Sequence, residues 1–328
     1  MSDVREVVVN GADDGQRLDR WLKKNVPELP YALAQKLIRK GAIKVNGKKA
    51  KTDTRLATGE IVRLPPMEDK PKAPSYRVSP DDEKLIKSCV IFDDGDLVIL
   101  NKPAGLATQG GGDEKRHIDG MVSVLTNKEG IAPRLVHRLD KETSGVLVLA
   151  RSPEAVRRLG KMFQGRDIRK LYWAVTLGVP AQREGEIRAP IGKTKGPIKD
   201  KMIIDDEDGK HAITDFVVVD KVQGQSAFVA FMPRTGRTHQ IRVHASEILE
   251  CPIVGDSRYH GKGEKWGEME QLTLANRLHL HARRLVFNHP ITDSPLDVWA
   301  DMPKDLVKSW KTLGFNPSEK IDPFEELF

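Results

Sequence analysis

The chain has 328 residues, 39% of them hydrophobic, with 54 Lys and Arg against 47 Asp and Glu for a formal net charge of +7. That length points to two domains of unequal size with enough apolar material for a real core, and the positive excess favours a polyanionic partner. No apolar run is long enough to span a bilayer, the start MSDVREVVVNGADDGQ lacks the apolar stretch of a secretory leader, and Cys89 and Cys251 lie in unrelated contexts. No membrane span, disulfide framework or thiolate metal site is suggested, and a cytoplasmic location is expected.

Residues 15–64 form the first unit. GQRLDRWLKKNVPELP predicts a helix with Leu18, Trp21 and Leu22 on one face, broken by Pro27 and Pro30. YALAQKLIRKG predicts a second helix that turns Leu33, Leu37 and Ile38 inward and ends at Gly41. In AIKVNGKKA, Ile43 and Val45 alternate with Lys44 ahead of the turn dipeptide Asn46-Gly47, the signal of a short hairpin. Lys36, Arg39, Lys40, Lys44, Lys48, Lys49, Lys51 and Arg55 crowd this stretch, and Asp53 is the single acid between Tyr31 and Arg55. A merely solvated face would intersperse acids. One-sided density is what a surface tracking RNA phosphates requires, so Lys36, Arg39, Lys40, Lys44, Lys48 and Lys49 are the candidate RNA contacts.

Residues 65–75, with prolines at 65, 66, 71 and 74 and no periodicity, read as a stiff linker, and 76–328 as the second domain. Val90-Ile91-Phe92 and Leu97-Val98-Ile99-Leu100 flank an Asp/Gly turn as a hairpin, and NKPAGL follows as a loop. Gly110-Gly111-Gly112 has no Gly-Lys-Ser/Thr after it and is no phosphate-binding loop. The run Val146 to Ala150 reads as a buried strand, so Asp140 in HRLDKETSG sits in the loop feeding it, where Thr143, Ser144 and Gly145 allow a tight turn. Ser152-Pro153 caps a helix to about Gln164, and Arg169 to Leu177 alternates as a strand. Ala212–Asp220 and Ser226–Met232 pair as strands, RTGRTHQIRVH runs into a helix ending at Cys251-Pro252, and LHLHARRLVF and a helix around Leu306–Leu313 close the domain. Many strands, few helices and prominent hairpins predict an α+β domain on a mixed, largely antiparallel sheet.

Three distant segments supply a carboxylate (Asp140), a phenol (Tyr172) and a guanidinium (Arg242). Taken singly, each has a plainer reading: an aspartate capping its turn or pairing with Arg138, a core aromatic, and a helix-surface cation. Spacing cannot bring them together. His279 and His281, two apart on a strand with His289 nearby, mimic a metal-ligand pair, but no carboxylate or Cys joins them closely, so a structural or RNA-facing role is expected. His239 and His244 are five apart and do not make a zincin pair. No metal site is expected.

HRLDKETSGVLVLA closely resembles the central motif of the RluA-type pseudouridine synthases, whose motif aspartate corresponds to Asp140 here. NKPAGL, KLYWAV and RTGRTHQIRVH resemble further pieces of that pattern, and residues 15–64 resemble the small RNA-binding domain named for ribosomal small-subunit protein S4. The resemblance implies a pseudouridine synthase fold and isomerisation of specific uridines in large-subunit (23S) ribosomal RNA. It makes Asp140 the catalytic carboxylate and Arg242 the cation that pairs with Asp140; Tyr172 would stack on the uracil and could remove the ring-carbon proton, although a phenol is a weak base unless its environment shifts it. Arg138 would assist extrusion of the uridine and Arg237 would contact the RNA. No cofactor is needed, because the uracil stays bound throughout, and a monomer is expected. Two rivals stand beside it: a non-catalytic RNA-binding protein, and a glycosidase-like hydrolase, which would need a second carboxylate that no motif supplies.

Overall fold

The computed structural model describes residues 4–27, 29–66, 76–111, 114–165, 167–194, 201–222, 225–259, 272–318 and 320–325. The backbone divides into two units, Met1–Ala73 and Pro74–Phe328. Most of the expected linker, from residue 67 to 75, lies outside the described residues.

The first unit runs β1 (Arg5–Val8), α1 (Leu18–Asn25), α2 (Tyr31–Lys40), β2 (Lys44–Val45), β3 (Lys48–Lys49) and β4 (Ile61–Leu64), with sheet order β1-β4-β2-β3. Leu18, Trp21 and Leu22 of α1 pack with Ala34 and Ile38 of α2 and with Val45, Val62 and Leu64 from the sheet. One expectation is corrected: Leu33 is 43% exposed. At 100° per residue it falls to the side of the stripe formed by Ala34, Leu37 and Ile38, which is the face that turns inward. Gly41 ends α2 in the left-handed region (φ 71), and Asn46 (φ 48) with Gly47 (φ 77) makes the two-residue turn between β2 and β3. Lys36, Arg39, Lys40, Lys48 and Lys49 are exposed and Lys44 half-buried. Arg39, Lys49 and Lys51 line a shallow hollow together with Arg17 and Asp53.

The second unit begins with a helix that the sequence reading passed over, α3 (Pro80–Ser88), started by a capping box between Ser79 and Asp82. There follow β5 (Val90–Asp93), β6 (Leu97–Lys102), α4 (Ile118–Met121), β7 (Arg134–Leu135), β8 (Ser144–Ala150), α5 (Pro153–Gln164) and β9 (Arg169–Leu177). Then come β10 (Glu184–Arg188), β11 (Ile191–Lys193), β12 (Met202–Ile204), β13 (Ile213–Val222), β14 (Ser226–Pro233), α6 (Gln240–Val243), β15 (Leu280–Asn288), β16 (Pro295–Trp299) and α7 (Lys304–Thr312). The main sheet has the order β10-β13-β14-β9-β15-β8-β6-β5, with β16 on β15 and β7 on β8. Its described strands pair antiparallel except β8 with β15, so the fold is α+β on a mixed, largely antiparallel sheet.

Strand β8 is buried at every position. Leu147 and Leu149 face a core with α3 and α4, while Val146, Val148 and Ala150 face a core with α5. Each such valine or leucine contributes about 1.5–3 kcal/mol of burial, which explains the unbroken apolar run in the sequence. At its start, Gly145 has φ +118, and a Cβ there would lie 2.1 Å from the Ala282 carbonyl oxygen of β15. Glycine is therefore required both by the left-handed backbone and by the close approach of two strands. Gly145, Ala282 and Tyr172 are register partners across β8, β15 and β9, so the loop before β8 and the middle of β9 come to one level of the sheet. Gly145→Ala is expected to lower the unfolding free energy of the second unit by roughly 3 kcal/mol or more, read by denaturant titration.

Candidate active site

The Asp140 loop is clamped by the NKPAG segment. Lys102 is wholly buried, and its Nζ donates to the carbonyls of Pro103 (2.8 Å), Leu106 (2.8 Å) and Lys141 (3.2 Å). The Gly105 N–H donates to the same Lys141 carbonyl at 2.9 Å. The Thr108 hydroxyl donates to the Leu139 carbonyl at 2.6 Å and accepts the Leu139 N–H at 3.2 Å. Backbone on both sides of Asp140 is thus tied to one neighbouring segment, and the Thr143 N–H closes the turn onto the Asp140 carbonyl at 3.2 Å. Burial pushes the Lys102 ammonium down to about 7, against the pull of Asp140 and Glu142 in the other direction.

Asp140 opens into a cleft of about 340 Å3 walled by the residues around it, by α5 (Gly160, Phe163, Gln164), by Lys170 and Tyr172 of β9, and by the turn from Pro233 to Arg242. Lys170 and Tyr172 are two apart on β9 and so point to the same face. Burial, and then the charge of Asp140, raises the Tyr172 phenol well above its ordinary range, so it is neutral near pH 7. Burial lowers the Lys170 ammonium. His137 is a structural part of the wall. Its Nε2 accepts the Val148 N–H at 2.8 Å, extending the ladder beyond the end of β7, and its ring stacks on Phe163 at 4.0 Å. Burial drops its pKa to about 3, so it stays neutral.

The third wall is fixed by Gln240, whose carboxamide uses both ends: it accepts from the Thr235 hydroxyl (2.7 Å) and the Arg237 N–H (3.0 Å), and donates to the Ile213 carbonyl and the Thr214 hydroxyl (both 2.8 Å). Two residues on, Arg242 is buried and forms a two-bond fork with Asp256, both bonds at 2.7 Å. Burial works against its charge, but the Asp256 fork outweighs it and raises the guanidinium, with Asp140 adding to the effect. His239, at the head of α6, puts Nε2 3.8 Å from Asp140 Oδ2.

A model of RNA pseudouridylate synthases matches residues 96–247, and a model of the S4 domain matches residues 16–62. Over 293 residues the chain is 36% identical to the ribosomal large subunit pseudouridine synthase C of Rickettsia felis, covering 88% of this chain and 93% of that protein. The protein of the same name from Vibrio vulnificus is 33% identical over 305 residues, covering 91% and 93%. The chain belongs to the RNA pseudouridylate synthase family. Among solved structures, human RNA pseudouridylate synthase domain containing 4 superposes with a TM-score of 0.60 at 31% identity, covering 71% of this chain and 95% of that one.

The pseudouridylate synthase fold thus brings Asp140, Tyr172, Arg242, Arg138 and Arg237 to one cleft. Arg138 is exposed and its guanidinium has no partner among the described residues, whereas Arg237 is held by the His211 carbonyl at 3.0 Å. The expected pairing of Arg242 with Asp140 is corrected: the fork goes to Asp256, so Arg242 acts on Asp140 through space only. Asp256 also accepts the Arg258 and Tyr259 N–H groups at 2.9 and 3.1 Å, which leaves it better placed to hold a buried cation than a half-exposed loop carboxylate would be. Asp256, His239, Lys102 and Lys170 were missed as site residues; Lys102 and Lys170 stand inside the quoted NKPAGL and KLYWAV segments. His279 and His281 are fully buried and bonded to backbone carbonyls and Ser144, so neither faces RNA. Among the described residues no cluster of three His, Cys, Asp or Glu could hold a metal. Replacing Asp256 by Asn leaves the Arg242 charge buried without its counter-ion, and a loss of about 3–5 kcal/mol of unfolding free energy is expected on calorimetry.

Proposed function

We propose that this pseudouridine synthase isomerises specific uridines in large-subunit ribosomal RNA, with Asp140 as its catalytic carboxylate. The observation that carries the reading is that the motif-bearing Asp140, Tyr172 and Arg242 line one cleft in which Asp140 is the only carboxylate among the described residues. A hydrolase acting on the glycosidic bond by paired carboxylates would need a second acid about 5–10 Å away, so the single acid favours isomerisation. A protein that merely bound RNA would have no need to clamp one loop carboxylate at the mouth of a cleft.

The chemistry asks for cleavage of the bond between the sugar and ring N1, rotation of the uracil, formation of a bond at C5, and loss of the C5 proton with gain of one at N1. Asp140 serves it as an ionised carboxylate, either attacking covalently or stabilising positive charge at the sugar carbon. Arg242 and Lys102 place positive charge behind it. Tyr172 supplies a ring face for the uracil, and its raised phenol supports stacking rather than a role as a free base. Arg138, without a partner among the described residues, fits the part of filling the stack the uridine vacates, and Lys170 and Arg237 that of flanking contacts. The basic face of the first unit positions the RNA. The reading implies a monomer working in the cytoplasm, where ribosomal RNA is made.

Asp140→Asn should abolish pseudouridine formation while RNA affinity changes little, since the substitution removes no cation. The check is a pseudouridine map of ribosomal RNA from cells lacking the gene, complemented with wild type or the variant, beside binding of an RNA fragment. Restoration of the missing sites by the variant would remove Asp140 from its role. Replacing Lys36, Arg39 and Lys40 together by Gln should weaken binding and flatten the plot of log K against log salt by about one unit per lost phosphate contact. An unchanged slope would make that face a solvated surface.

A further inference from the structure

One side chain facing Asp140 has no task in the reading above. His239 presents Nε2 to Asp140 Oδ2 at 3.8 Å, and its Nδ1 lies 2.8 Å from the Tyr259 hydroxyl. Its backbone is left-handed (φ 56, ψ 19), a conformation that a residue other than glycine keeps only when its surroundings enforce it. That geometry sets the ring between the carboxylate and the phenol, with the two rings edge to face at 78°.

The Tyr259 hydroxyl accepts the Met202 N–H at 3.0 Å, which frees its own proton to be donated to His239 Nδ1. A neutral imidazole that accepts at Nδ1 carries its hydrogen at Nε2, the nitrogen turned to Asp140. Tyr259 is itself buried and anchored, because its backbone N–H donates to Asp256 at 3.1 Å and the Arg242 guanidinium lies 5.0 Å over its ring. The aspartate that holds Arg242 therefore also holds the residue that orients His239.

We infer that His239 is a positioning residue for Asp140: Tyr259 fixes its tautomer, and the Nε2–H so presented orients the carboxylate, closing to a hydrogen bond when RNA occupies the cleft. This rests on the reading of Asp140 given above. At 3.8 Å the present contact is electrostatic, and active-site hydrogen bonds commonly tighten only in the substrate complex. The groups facing the ring are Asp140, Asp256, Tyr259, Arg242 and Arg258. Burial lowers the His239 pKa, Arg242 and Arg258 reinforce the shift and the two aspartates oppose it, so the ring is neutral near pH 7 and its tautomer matters.

The test uses the full chain, a ribosomal RNA fragment and single-turnover rates at saturating RNA, with Asp140→Asn alongside. His239→Gln keeps an N–H at about the reach of Nε2, whereas His239→Asn suits the left-handed backbone better but is too short. If the N–H is what acts, the Asn variant falls roughly 10- to 100-fold with unchanged RNA affinity, as losses of supporting partners do, and the Gln variant stays well above it. An Asn variant as fast as the Gln variant would mean that only the backbone conformation matters and would overturn the inference. Tyr259→Phe should be slower than wild type at pH 8 and regain ground relative to it as pH falls below 6, because a doubly protonated ring offers Nε2–H whatever its neighbour. A deficit independent of pH would overturn the tautomer relay. An active Asp140→Asn would remove the catalytic reading itself, whereas an inactive one beside wild-type rates at His239→Asn would remove only this inference.

Discussion

A buried ammonium enclosed by three carbonyl oxygens fixes the loop that carries Asp140. The three acceptors around Lys102 match the three N–H groups of the charged form, while burial pulls its pKa down to about 7. What keeps the proton there is the negative charge of Asp140 and Glu142. The loop carboxylates therefore favour the charged form of the lysine that holds their own backbone in place. A neutral amine would keep only two N–H groups for three carbonyls, and an acceptor left unpaired in the interior costs about 1–3 kcal/mol.

A second anchor stands on the opposite wall. Arg242 and Asp256 form a buried pair whose partners are both spoken for, so Arg242 cannot swing to Asp140 without leaving a buried carboxylate with no counter-ion. Its worth to the site is as a fixed positive charge and as a support for Tyr259. Gln240 holds the turn between β14 and α6 rigid enough for both to keep their places. The cleft is thus built from polar groups that are already satisfied, leaving Asp140 and Arg138 turned to the open space, as a preorganised site requires.

Much of this was legible in the sequence where a local pattern carried it. The apolar run of β8, the Asn46-Gly47 turn, the Gly41 end of α2 and the Ser152 cap of α5 each follow from a few adjacent residues, and all are found. Asp140, Tyr172 and Arg242 were named from motif resemblance, not from spacing. What stayed hidden depends on pairings far apart in the chain. Register between Gly145 and Ala282 decides which strand runs parallel to β8. Asp256 takes the fork of Arg242 from beyond the RTGRTHQIRVH segment, and a lysine buried among carbonyls runs against the usual exposure of lysine. The helix α3 is a different kind of omission, because Ser79-Pro80-Asp81-Asp82 carries its start signal in plain view.

Isomerisation at C5 has one consequence that neither base hydrolysis nor simple binding shares: the C5 hydrogen leaves the ring while the base stays in the RNA. The direct measurement is to incubate the purified protein with a large-subunit ribosomal RNA fragment carrying tritium at uracil C5, following label in water and free base together. Release of tritium in proportion to pseudouridine formed, with no free uracil, is the predicted result. Free uracil, or RNA that is bound but keeps its label, would contradict an isomerase built around Asp140.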